Sequence, residues 1–164
     1  MNRIGDNLLH FGPNETLIRA FVDFGVEFVL IGGLAISWYC SDRQVDDMDL
    51  LVNSTQENSE RIYQALTHLN LSGFDNNSFS KSALQIPLKQ HLYAEILTCQ
   101  LDGPSYLEVA VAALDAKLFN IPIKLASVAS LIKMKQKAVI SAGQQREKHQ
   151  ADIERLIRYS AKQS

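Results

Sequence analysis

Apolar positions in this chain alternate between solid runs and helical stripes, and the change from one to the other marks the elements. Phe28 to Ile31 is an unbroken apolar run, followed by Gly32 and Gly33, an apolar segment of two to three helical turns, a polar link, and a second apolar run to Val52. That order predicts strand, tight turn, helix, strand. Successive side chains on a strand point to opposite faces, so Asp47 and Asp49 share one face while Met48 and Leu50 take the other. Ahead of this unit, Asn14 has the character of a helix N-cap, Glu15 suits a first turn, and Leu17, Ile18 and Phe21 fall at helical spacing up to Gly25.

After the second strand, Ser54 and Glu57 have capping-box spacing, and Ile62, Ala65, Leu66 and Leu69 form one stripe of a covering helix. The polar, turn-rich segment 70–82 predicts a mobile loop. Leu84–Leu88 and Leu92–Leu97 read as strands joined near Lys89 and Gln90, with Pro87 placing the first at a sheet edge. Apolar segments 109–113 and 116–125 suit helix or strand. A hairpin about Phe119 and Asn120 fits best, with Pro122 marking another edge. Ser127 opens a helix to Gly143 with the stripe Val128, Leu131, Ile132, Ala138, Val139 and Ala142. Lys135 falls on that stripe and points inward, whereas Lys133 and Lys137 point out.

The chemistry concentrates in acids that ought to be uncomfortable. Two carboxylates on one strand face repel unless one takes a proton or a cation bridges them. Mg2+ suits the need, because it is held by one or two carboxylates plus substrate phosphates. Gly32 and Gly33 let a phosphate approach the backbone, where the next helix directs its free N–H groups and positive dipole end. Glu95 is the one acid in an otherwise apolar strand, sharing a face with Tyr93 and Leu97, and a buried uncompensated charge is very unfavourable. The bland alternatives are two solvated acids at 47 and 49, a Glu95 ion pair with Lys89 or Lys117, and a Lys135 that snorkels to water. Asp102, in a turn-like Leu-Asp-Gly, is a reserve acid.

At 164 residues the chain predicts a single domain. A net charge of −2 and a pI near 6.1 argue against broad binding of nucleic acid by charge alone. A stripe of Lys117, Lys124, Lys133, Lys135, Lys137, Arg146 and Lys148 offers local positive charge. Cys40 and Cys99 lack metal or redox spacing and read as reduced thiols. Residues 1–10 lack the basic start and apolar run of a signal peptide, and no stretch is long enough for a membrane helix, so a cytoplasmic location is expected. The four histidines show no pair at ligand spacing, and no chemistry is assigned to them.

The segment Ile31-Gly32-Gly33 with Asp47-Met48-Asp49 resembles the signature of the nucleotidyltransferase superfamily related to polymerase beta: a hydrophobic residue, Gly, then Gly or Ser, a gap, and two Asp flanking a hydrophobic residue. Bacterial members often carry Arg-x-Thr before the acids; here Arg43 is kept, Val45 replaces the Thr, and Ser41 and Asp42 stand where a Gly often precedes the Arg. Tyr93-Ala-Glu-Ile-Leu-Thr98 resembles the later strand that brings the third carboxylate. Leu131-Ile-Lys-Met-Lys135 with Arg146, Lys148 and Asp152 is similar to the tail of bacterial stand-alone members, His149 replacing an Asp.

The resemblance implies an α+β nucleotidyltransferase fold, a mixed sheet covered by helices, with a catalytic core at about 26–100 and C-terminal helices at about 127–162. It implies transfer of a nucleoside monophosphate from an NTP to an acceptor hydroxyl with release of pyrophosphate. Asp47, Asp49 and Glu95 would be the catalytic and metal-binding acids for two Mg2+ ions, with Mn2+ an alternative. Gly32, Gly33, Arg43 and Lys135 would bind the nucleotide phosphates. The acceptor, whether small molecule, tRNA or protein, stays open, and so does a homodimer or a helical protein partner. The rival reading is a non-catalytic nucleotide- or partner-binding module of a toxin and antitoxin pair.

Overall fold

The computed structural model describes residues 12–43, 45, 47–88, 92–141 and 143–163. Along the chain run α1 (Gly12–Asp23), β1 (Phe28–Ile31), α2 (Gly32–Tyr39), β2 (Met48–Val52), α3 (Gln56–His68), β3 (Gln85–Leu88), β4 (Ala94–Leu97), α4 (Tyr106–Ala112), β5 (Leu114–Leu118), β6 (Ile121–Leu125), α5 (Val128–Ser141) and α6 (Arg146–Gln163). The strands form one mixed sheet in the order β3-β4-β2-β1-β6-β5. β1 and β2 are antiparallel, β2 and β4 parallel, and both outer pairs, β3 with β4 and β5 with β6, are antiparallel. All four residues of β1 are buried, as expected for a solid apolar run inside a sheet.

Helices α1 and α3 pack together, and α5 and α6 form a hairpin that also meets α2. Leu17, Ile18, Phe21, Leu30, Leu50, Ile62 and Leu66 are fully buried in the main core. Phe21 and Phe28 meet edge to face there, 5.6 Å between centroids.

Several local signals resolve differently from the sequence reading. Asn14 is not a cap. It sits inside α1, fully buried, donating from Nδ2 to the Tyr93 carbonyl at 3.0 Å and accepting from the Tyr93 N–H at 3.1 Å. The amide thus fastens α1 to the chain entering β4, a partner 79 residues away. Thr55, not Ser54, caps α3, accepting from the Asn58 N–H at 3.2 Å. Asn58, fully buried, is then free to bridge the Glu27 and Asn53 carbonyls from Nδ2.

Segment 70–82 forms turns, yet Phe79 within it is fully buried and its N–H donates to Ser59 Oγ at 3.0 Å. The ambiguous stretch before the hairpin belongs in part to α4, which is opened by a Ser105/Glu108 capping box. Phe119 and Asn120 make the hairpin turn, both at positive φ. Pro87 lies on edge strand β3 as expected, whereas Pro122 lies on β6, with the edge occupied by β5. β6 tolerates it because its register with β1 is confined to Leu30 opposite Leu125. Lys89, Gln90 and Ala142 fall outside the described residues.

Candidate active site

The site lies where β1, β2 and β4 run side by side. At one level across the sheet stand Ile31, Asp49, Glu95 and Pro87, each the register partner of the next. Parallel pairing of β2 with β4 sets Asp49 directly beside Glu95, on the face opposite buried Met48, Leu50, Ala94 and Ile96. Asp47 precedes β2 instead of lying within it and is exposed. Its charge nonetheless reaches Asp49.

Burial first, and the Glu95 carboxylate second, push Asp49 up from the ordinary 3.8 to about 7; Asp47 adds to the rise and Lys135 opposes it. Gln85 donates to Glu95 Oε2 at 3.0 Å from the neighbouring strand, which fixes the outer face of that carboxylate.

Gly32 explains itself by two constraints. Its φ of +70° belongs to the left-handed region, and a Cβ placed there would land on the Asp49 carboxylate. The space a side chain would take is therefore occupied by Asp49. Gly33 has a different neighbourhood: a Cβ would meet Val45 Cγ1 at 2.5 Å and Arg43 Nη2 at 3.1 Å. α2 begins at Gly32, and Ile31 in the capping position offers no side chain to its first N–H groups.

A cavity of about 380 Å³ opens over this level, lined by Gly32, Asp49 and Glu95 on the sheet and by Lys135, Lys137 and His149 on the helices. Lys135 enters it as the inward stripe position predicts, its side chain 12% exposed. Lys137, expected to point outward, also lines the cavity and pairs with Asp102. That pairing holds the exposed Asp102 carboxyl below its usual range.

Behind the cavity Asp152 forms the opposite kind of cluster. Fully buried, it receives Arg43 Nε at 2.8 Å, Lys135 Nζ at 3.1 Å and Arg155 Nη1 at 3.3 Å. Burial alone would raise its pKa, but hydrogen bonds from Arg43 and the Lys135 charge outweigh that and hold it below the carboxylate range. Arg43, read from sequence as a phosphate ligand, thus has its guanidinium on Asp152. His149 accepts from Lys135 at Nδ1, 3.1 Å away, and its pKa is lowered by burial and by that ammonium.

The arrangement brings together Asp49, Glu95, Gly32 and Lys135, whereas Asp47, Gly33 and Arg43 are not among the residues that line the cavity. His149 and Gln85 escaped the sequence reading. For His149 the trace is its place in the tail motif, where it replaces an Asp and is assigned no chemistry, and Gln85 carries no signal at all.

Hard oxygen donors at adjacent register positions, one of them desolvated, suit a divalent cation that completes its shell with phosphate oxygens. Among the described residues no three His, Cys, Asp or Glu side chains are gathered so as to hold an ion by themselves.

No protein-family model matches the sequence, and no curated protein is significantly similar to it. Solved structures do match the fold. An antigenic nucleotidyltransferase-like protein from Paracoccidioides brasiliensis aligns with a TM-score of 0.54 at 16% identity, over 88% of this chain and 74% of that one. ANT(2")-Ia, solved in complex with adenylyl-2"-tobramycin, aligns with a TM-score of 0.56 at 15% identity, over 87% of this chain and 84% of that one. The chain has the α+β nucleotidyltransferase fold, with the polymerase beta-like mixed sheet that its glycine and acid pattern resembles.

Proposed function

We propose that the protein is a metal-dependent nucleotidyltransferase that moves an NMP from an NTP to an acceptor hydroxyl and releases pyrophosphate. The observation that carries this reading is the register pairing of Asp49 with Glu95 beside Gly32 at the floor of the cavity. Asp49 and Glu95, with the exposed Asp47 two residues before Asp49, are the residues that would hold Mg2+, or Mn2+ in its place. Such an ion supplies neutralisation of triphosphate charge and a lowered pKa for the acceptor hydroxyl.

The chain's own contribution is positioning. Gly32 and the uncapped start of α2 present N–H groups to phosphate oxygens. Lys135, anchored by Asp152, presents an ammonium to charge that develops on the leaving pyrophosphate. Glu95, which accepts a hydrogen bond from Gln85, would bind the second ion or take the acceptor's proton. Arg43 supports this wall from behind through Asp152. ANT(2")-Ia has the same fold and was solved with an adenylylated aminoglycoside, which makes small hydroxylated acceptors a reasonable first panel.

A second reading, a non-catalytic partner-binding module, draws on the exposed apolar side chains of Leu107 and Val111 on α4, 70% and 78% accessible. Calorimetric titration of Mg2+ with ATP, CTP, GTP and UTP separates the two. Metal-dependent binding of an NTP, with labelled NMP appearing on a component of a cell extract, is the expected result. Absence of any NTP binding removes the transferase reading, as does full transfer by Asp49→Asn.

A further inference from the structure

We infer that His149 donates a hydrogen bond from Nε2 to an oxygen of the polyphosphate held in the cavity, a role that rests on the nucleotide reading above. The argument is one of hydrogen-bond inventory. Lys135 Nζ lies 3.1 Å from His149 Nδ1 and 3.1 Å from Asp152 Oδ2. An ammonium has donors and no acceptor, so Nδ1 must receive the bond and carries no proton. The neutral ring therefore holds its single proton on Nε2. Protonating Nδ1 as well would set two donors against each other, and the burial and Lys135 charge that lower the His149 pKa act in the same sense.

The imidazole lines the same cavity as Gly32, Asp49 and Glu95. Lys135 is its hydrogen-bond partner among the described residues, and no buried side-chain nitrogen or oxygen among them lacks a partner. The Nε2 proton is thus an accessible donor of fixed tautomer. Lys135 spends two of its three N–H groups on Asp152 and His149, leaving the third beside that donor. Acids and the paired donors line one cavity. A polyphosphate bridged to the acids by a cation presents oxygens that match the donors as well.

Two substitutions separate this role from a structural one. His149→Asn keeps an acceptor for Lys135 near the Nδ1 position but removes the distant donor. His149→Gln keeps a donor near the Nε2 position but disturbs the Lys135 contact. Titration of each folded variant with Mg2+ plus tripolyphosphate, and with Mg2+ plus a fluorescent NTP, should show about tenfold weaker binding for Asn and less than about threefold for Gln.

Weaker binding in Gln than in Asn, or equal affinity in both variants, overturns the donor assignment while leaving the transferase reading in place. Wild-type protein that binds neither ligand overturns both.

Discussion

Two carboxylate sites about the same cavity wall treat charge in opposite ways. At Asp152 one buried acid meets Arg43, Lys135 and Arg155, and its pKa falls. At Asp49 a desolvated acid meets Glu95 and Asp47, with the Lys135 and Lys148 charges too weak in opposition, and its pKa climbs to about 7. Sequence reading sets them apart, Asp49 as one of two repelling acids and Asp152 as part of a tail motif with basic residues, and their surroundings follow that division: the protein's own cations satisfy Asp152 and leave Asp49 with its pKa raised. Satisfied clusters hold helices and loops together, whereas unsatisfied ones mark where a ligand completes the structure.

The largest test breaks the satisfied side. Asp152→Ala strands the Arg43 and Lys135 charges in a buried setting, and denaturant unfolding should register a loss of about 3–5 kcal/mol. A loss below about 1 kcal/mol would show that the hub is not structural. Gly32→Ala comes next. Strain at positive φ together with displacement of the Asp49 carboxylate should remove about 2–3 kcal/mol. NTP binding should fall with it, measured by calorimetry on the folded fraction.

Asp49→Asn should act with the opposite sign. Between about pH 4 and 7 the folded chain keeps a proton on Asp49 that the unfolded chain gives up, so this residue makes stability decline as pH rises through that window and level off above it. Removing the charge should therefore leave urea midpoints nearly unchanged at pH 4.5. At pH 8 without divalent ions it should raise stability by about 1–2 kcal/mol. Equal effects at both pH values would contradict the electrostatic account of the site.

The fold was legible where pattern and environment agree. The apolar run of β1 and the Phe119-Asn120 turn follow from local spacing and appear where expected, and β2 and β4 do so in shortened form, β2 starting after Asp47 and β4 at Ala94. What escaped depends on partners remote in sequence. Asn14 is a capping type locally, but its amide matches the Tyr93 backbone 79 residues on, and that bond decides its role. Arg43 resembles a phosphate ligand until α6 brings Asp152 to it across 109 positions. Lys137 lies on the polar side of its helix by periodicity, yet the loop carrying Asp102 turns it toward the cavity. α4 was obscured because the seven-residue helix is announced by its cap at Ser105 more than by any apolar stripe.

Because Asp49 and Glu95 meet only through the side-by-side alignment of β2 and β4, the site is written as a parity. Length changes confined to the turns of segment 70–82 leave both acids on the same side. One residue gained or lost within β4, upstream of position 95, sends that carboxylate through to the greasy interior and brings an aliphatic chain up in its stead. Length is therefore free to vary in the exposed turns around buried Phe79, whereas inside the strand it must count by twos.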